Sequence, residues 1–255
     1  MPTSSADRPA PILIAESVTS GYGGAPVISD VSVQAGRGEI AVIIGANGSG
    51  KSTLLKTIVG QIRPTGGRIT LDGEDITGRD TAKLVRRGMG YVPQLNDVFY
   101  SLSVSENLEM GGYLLPANEV AARRERVLEI LPALRDMLGR DASKLSGGER
   151  KMLAIGRSLM LNPTFLALDE PTANLSPKLA ASILHEQVRQ LADAGVAVLL
   201  VEQRATLALE IAGWAYVLVA GRVRLDGPAA EIGAREDLGE IFLGEEPAKS
   251  AVHTR

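Results

Sequence analysis

Nine consecutive residues, Gly45 to Thr53, carry chemistry that the rest of the chain has to position. They read G-A-N-G-S-G-K-S-T and fit the pattern G-x-x-x-x-G-K-[ST] throughout. Gly45, Gly48 and Gly50 lack a Cβ, so the backbone there can turn sharply and approach an anion closely. The N–H groups of such a loop converge on the anion, and the helix that follows adds the positive end of its dipole. Lys51 is in register to reach the β- and γ-phosphates and the Ser52 hydroxyl to hold Mg²⁺, with Asn47, Ser49 and Thr53 completing the cradle. Without nucleotide the Lys51 ammonium is expected to be solvated. A plain glycine turn between a strand and a helix is the bland reading. Lys-Ser in register decides for a nucleoside triphosphate.

Other residues join this loop by type and place. Phe165–Asp169 is an apolar run that ends in two carboxylates, Asp169 and Glu170. Asp169, at the tip, suits the Mg²⁺ shell, and Glu170 is placed to polarise an attacking water. Gln94 follows Pro93 at the carboxyl end of another expected strand, the edge where open α/β sheets bind ligands, to sense the γ-phosphate or complete the Mg²⁺ shell. Tyr22, alone among glycines, offers a flat face for adenine or serves as a surface plug. Ser146-Gly147-Gly148-Glu149 precedes a helical stretch and is expected to form a second anion-binding helix N-terminus.

The elements that must position these residues alternate. Ile12–Val18, Val27–Val33, Ile40–Ile44, Arg68–Leu71, Met89–Val92, Phe165–Asp169, Val196–Val201 and the pair Trp214–Ala220 and Arg222–Leu225 read as strands. Helices are expected at 54–59, 80–87, 119–131, 152–160 and 179–191, and Ser103-Val104-Ser105-Glu106 is a capping box opening another. Residues 96–160 show helices and no convincing strand, an all-helical insertion in an α/β chain. Residues 1–11 and 244–255 read as flexible tails around one domain, 12–243.

Composition excludes several classes. Net charge is −3, which leaves no footprint for nucleic acid. There is no cysteine, so thiolate metal sites and disulfides are absent. No apolar run is long enough to span a bilayer. A cytoplasmic protein that meets a membrane only through a partner is the expectation.

Taken in order, these motifs resemble the ATP-binding-cassette (ABC) ATPase family: Tyr22, the phosphate loop, Gln94, L-S-G-G-E at 145–149, L-A-L-D-E at 166–170, and Glu202-Gln203. The resemblance runs from Ile12 to Leu243 and implies a phosphate-loop NTPase core with an antiparallel β subdomain and an inserted helical subdomain. It implies hydrolysis of ATP with Mg²⁺, Glu170 and Gln203 as catalytic residues, Ser52, Gln94 and Asp169 near the metal, and the 146–149 signature serving a partner subunit's ATP. It further implies a dimer, homo- or hetero-, bound peripherally to the inner face of the cell membrane through a separate permease, and indirectly to a solute-binding protein. The stretches Tyr91–Gln94, Asp97–Leu108 and Leu200–Gln203 are similar to the ATPases of branched-chain amino-acid importers, and urea and short-amide importers are similar there too. Export-coupled and non-transport cassettes are the alternatives. The chain departs from most of the family at three places. Glu149 stands where Gln is usual, Gln203 where His is usual, and Ala173–Ser176 lacks the usual Asp.

Overall fold

Strand runs that are apolar at every position bury both faces, and in this chain such runs end where the candidate site begins. The computed structural model describes residues 8–95 and 97–243 of the 255. From the N-terminus, β1 (Pro11–Ser20) and β2 (Ile28–Gly36) pair antiparallel. Next, β3 (Ile40–Ile44) runs into the phosphate loop and α1 (Lys51–Ile58). The strands β4 (Gly66–Leu71) and β5 (Glu74–Asp75) then extend the first sheet, in the order β2-β1-β4-β5. The two-residue turn at Asp72 and Gly73 has positive φ at both positions, 50° and 77°, as a tight hairpin of primed type requires. After α2 (Thr81–Val85) comes β6 (Met89–Val92), and the chain leaves the sheets for the helical insertion.

That insertion holds α3 (Val104–Gly111), α4 (Ala117–Ile130), two short 3₁₀ turns and α5 (Gly147–Leu159). Among the described residues its one β feature is an isolated bridge between Ser103 and Asp141. The helices of the insertion run from Val104 to Leu159, and Asn96 lies outside the described residues. The chain returns through β7 (Phe165–Asp169) and a helical stretch, 177–193. Its ends are α6 (Pro177–Ser182) and α7 (Arg189–Asp193), and its middle, Ile183–Val188, is wound as π-helix. Then follow β8 (Ala197–Glu202), α8 (Ala205–Ile211), β9 (Trp214–Val219), β10 (Arg222–Pro228), α9 (Ala229–Gly233) and α10 (Leu238–Leu243).

The second sheet has the order β10-β9-β3-β8-β7-β6, all pairs parallel except β9 with β10. Its alternate residues feed two cores. Ile40, Val42 and Ile44 pack with the helical insertion, whereas Ala41 and Ile43 pack with α1 and the antiparallel sheet. Each fully buried Val, Leu or Ile contributes about 1.5–3 kcal/mol, so a sheet covered on both faces is a rigid base for the loops at its carboxyl edge. The expected fold class is therefore the one observed.

The expected 1–11 tail needs correction at its inner end. Arg8 Nε donates to Glu39 Oε1 at 2.7 Å, its Nη1 to the Tyr216 hydroxyl at 3.0 Å, and its guanidinium lies 4.6 Å from the Trp214 ring centroid. Arginine's planar fork lets one buried side chain satisfy a carboxylate, a phenol and an aromatic face together. Residues 8–11 are thus pinned, and Pro11 already belongs to β1. Residues 1–7 and 244–255 lie outside the described residues.

Candidate nucleotide site

The β3 strand delivers the loop, and the glycines let it close. At Gly45 a Cβ would lie 2.2 Å from the Leu218 carbonyl oxygen, and at Gly50, with φ of 103°, 2.6 Å from a methyl of Ile28. No other residue fits these places without moving the backbone of β9 or the side chain of β2. Gly50 is also the N-cap of α1; no side chain bonds the free N–H groups there and no acid stands in the first turn. The result is an open, electropositive helix end. Beside it lies a cavity of about 370 Å³, lined by Asn47, Gly48, Gly50, Lys51, Ser52, Thr53, Gln94 and Glu170, with Val27 at its rim. The Ser49 hydroxyl is buried in the loop without a hydrogen-bond partner among the described residues.

Lys51 is not solvated, contrary to expectation. Its Nζ donates to the carbonyl oxygens of Gly45 and Ala46 at 2.9 and 3.0 Å, and lies 3.8 Å from Glu170 Oε1. Burial pulls its pKa down from the ordinary 10.5, opposed by the charges of Glu170, Asp169 and Glu202. These carbonyls keep the buried ammonium hydrogen-bonded, as a charge taken out of water requires.

The two carboxylates separate by environment. Asp169 Oδ1 accepts from the Ser52 hydroxyl at 3.0 Å, and burial raises its pKa above the ordinary 3.8 against the pull of Ser52, Lys56 and Lys51. One carboxylate and one hydroxyl form a small oxygen donor set. It fits an ion that keeps water and phosphate oxygens as its remaining ligands, as Mg²⁺ does. Among the described residues no cluster of three or more His, Cys, Asp or Glu side chains could hold a metal by protein groups alone. Glu170 follows with φ of 44°, a left-handed backbone costing about 1–3 kcal/mol in a residue with a side chain. Its N–H is held by the Val201 carbonyl at 2.9 Å, which fixes the strained position. Its Oε2 accepts from Gln94 Nε2 at 2.9 Å. Gln94 therefore reaches the cavity, but through Glu170 and not through the Ser52–Asp169 pair.

Tyr22 is 65% exposed and among the described residues is tethered by one long bond, 3.4 Å, from the Thr53 hydroxyl, so its ring is available as a face. Ser146 caps α5 in a capping box: its hydroxyl accepts from the Glu149 N–H at 3.3 Å, and the Glu149 carboxylate accepts from the Ser146 N–H at 2.6 Å. Arg140 donates to the other Glu149 oxygen at 2.9 Å. Ser146, Gly147, Gly148 and Glu149 do not line the cavity of their own chain. Nor does Gln203. Its side chain is exposed, and its N–H donates to Glu202 Oε2 at 3.2 Å.

Sequence reasoning quoted Glu202 and Tyr91 within motifs without giving either a role, and it passed over Thr172. Glu202, 1% exposed, accepts from both the N–H and the hydroxyl of Thr172, at 3.0 and 2.8 Å, and so ties β8 to the loop after Glu170. Tyr91 lies beside Asp169; burial first, then the charge of Asp169, push its phenol well above the ordinary 10.0. The signal for Glu202 and Tyr91 was faint: each sits on a strand that also delivers a motif residue. The third, Thr172, sits two residues beyond Glu170, close enough to be found by spacing.

A parallel sheet with a glycine loop at its edge, an open helix end, a hydroxyl–carboxylate pair and a strained second acid define a phosphate-loop ATPase with an inserted helical subdomain. The family model described as "ABC transporter" matches residues 28–173. The high-affinity branched-chain amino acid transport ATP-binding protein BraG of Pseudomonas aeruginosa is 40% identical over 90% of this chain and 98% of its own length. The probable branched-chain amino acid transport ATP-binding protein LivF of Archaeoglobus fulgidus is 39% identical, over 89% of this chain and 96% of its own. The lipopolysaccharide export system ATP-binding protein LptB of Haemophilus influenzae is 34% identical, over 92% and 98%. A crystal structure of a nucleotide-free ATP-binding cassette from an ABC transporter superposes with a TM-score of 0.82 at 29% identity, covering 92% of this chain and all of that one. The chain belongs to the ABC transporter family and is one of its ATP-hydrolysing subunits.

Proposed function

We propose that the chain powers import of branched-chain amino acids through a separate membrane permease. The observation that carries this reading is the 40% identity to BraG over nearly the full length of both chains. The stretch Leu200–Gln203 supports it, because there the sequence resembles the ATPases of such importers. Among the described residues no helix is long and apolar enough to cross a membrane.

In this reading Lys51 and the N–H groups of the phosphate loop bind the β- and γ-phosphates of ATP, and Tyr22 stacks on adenine. Ser52 and Asp169 hold Mg²⁺, which offsets phosphate charge when bound. Glu170, released from Gln94 and Lys51 as these turn to the nucleotide, orients and polarises the water. Ser146, Gly147 and Gly148 meet the ATP of a second subunit, and Gln203 donates to the γ-phosphate once the two subunits close.

The similarity to LptB supports a second reading, energising lipopolysaccharide export. One experiment separates them. In the source cell, a Lys51→Ala allele should abolish uptake of radiolabelled leucine, isoleucine and valine while lipopolysaccharide reaches the cell surface normally. Normal uptake with lipopolysaccharide retained inside the cell would replace the import reading with the export one.

A further inference from the structure

The helix that begins at Ser146 also grips the segment that delivers Gln94. Lys151, one turn into α5, donates from Nζ to Asp97 Oδ2 at 2.6 Å and to the carbonyl oxygens of Pro93 and Gln94 at 3.3 Å each. The two side chains of the ion pair are only 8% and 9% exposed. Arg157, further along α5, donates to the Asp97 carbonyl and lies 4.4 Å from the Phe99 ring centroid. Ser158 Oγ donates to the Tyr91 carbonyl at 3.2 Å.

The Lys151 contact differs in kind from an exposed ion pair. All three of its N–H donors are used, two of them on the main chain that frames Gln94. Exposed pairs hold little, but removing one partner of a covered pair leaves the other uncompensated. Neither Lys151 nor Asp97 lines the nucleotide cavity; Asp97 faces the neighbouring groove, with Met110, Tyr113 and Arg157. Gln94 in turn donates to Glu170 at 2.9 Å. A continuous set of contacts therefore runs from the helix of Ser146 through Lys151 and the main chain of Gln94 to Glu170.

We propose that Lys151 is a positioning residue for hydrolysis: with Asp97 it fixes the Gln94 loop to α5, so that Gln94 and Ser146 are placed by one rigid piece. The proposal rests on the roles given above to Gln94 and Glu170. Lys151 itself touches neither nucleotide nor water and acts through the Gln94 main chain.

The test uses the purified full chain with ATP and Mg²⁺. Lys151→Met keeps the stem and removes the charge. It should lower kcat about tenfold, leave KM and the affinity for a fluorescent ATP analogue within twofold, and have little effect in a Gln94→Ala background. That last result is the signature of action through Gln94, because independent sites would multiply their effects. Asp97→Asn should behave in the same way and decides the matter if Lys151→Met fails to fold. Wild-type kcat in the variants, or full multiplication with Gln94→Ala, overturns the proposal while Glu170→Gln remains inactive. If Glu170→Gln itself hydrolyses ATP at the wild-type rate, the catalytic reading falls and takes the proposal with it.

Discussion

Two glycine-containing strings open helices in this molecule, and the two helix ends are finished in opposite ways. At α1 the N-cap is Gly50, no side chain takes up the free N–H groups, and the first turn holds no acid. At α5 the N-cap is Ser146, both halves of a capping box are made, and the Glu149 carboxylate sits on the end of the helix with Arg140 behind it. A helix N-terminus carries roughly half a positive charge. At α1 that charge and Lys51 are left for an anion from solution, whereas at α5 the chain's own carboxylate already answers it. The two helix ends therefore differ in what they leave free. The α1 end is built to bind by itself, and the α5 end offers Ser146 and two glycine N–H groups to something held in place by other contacts. Glycines alone do not make a phosphate site; the residues of the first turn decide.

The largest effect should come at α1. Lys51→Ala should weaken ATP binding about a hundredfold, since a charge-assisted bond to phosphate is worth roughly 1.5–3 kcal/mol. The melting temperature should hardly fall, because the buried ammonium costs desolvation as well as supplying bonds. Calorimetric titration with ATP beside a thermal melt reads both, and wild-type affinity in the variant breaks the comparison at its stronger end.

Ser146→Arg should separate binding from turnover. ATP affinity of the purified subunit should stay within about twofold while hydrolysis drops about a hundredfold, or roughly 3 kcal/mol in the barrier. If affinity is lost along with turnover, α5 serves the nucleotide of its own chain and the contrast with α1 disappears.

A smaller effect tests the acid that closes the α5 end. The Glu149 pKa lies below the ordinary 4.5, because it accepts from the Ser146 N–H and hydroxyl and then faces Arg140. A lowered acid stabilises the fold above its unfolded pKa, and that contribution is lost as pH falls through the folded value. Glu149→Gln keeps the cap but not the charge, so it should cost about 0.5 kcal/mol at neutral pH, roughly 1–2 °C in Tm. The gap to wild type should close below pH 4.5. A gap that stays constant into acid would show that charge plays no part at this helix end.

Glu202 should give the least change, and with the opposite sign. Burial raises its pKa above 4.5 against the bonds from Thr172 and Arg204, and the charge of Glu170 raises it further. A raised acid favours the fold below its unfolded pKa, and that contribution is lost as pH rises through the folded value. Glu202→Gln can still accept from Thr172, so the Tm of the variant should gain on wild type as pH climbs from 4.5. Melts of the two proteins across pH 4 to 8 read the sign directly, and a gap that moves in the same direction as for Glu149→Gln would mean that Glu202 is not held in a desolvated place.

What could be read from the chain alone was local. The phosphate loop works through backbone geometry and neighbouring side chains, so nine residues in a row suffice to state it. The capping box at Ser103 closes over three residues and was equally legible, while the second one, at Ser146, came to light only in the structure. Strand runs such as Ile40–Ile44 announce burial on both faces because nothing polar interrupts them. Partners far apart in sequence were not legible. Gln94 finds Glu170 across 76 residues, Lys151 finds Asp97 across 54, Arg8 finds Glu39 across 31 and Thr172 finds Glu202 across 30. Residue types name possible partners for such groups, but many carboxylates compete for each lysine or amide. The choice among them is made by strand order and helix placement, which bring one pair into hydrogen-bond reach and bury it where a mismatched charge could not be tolerated.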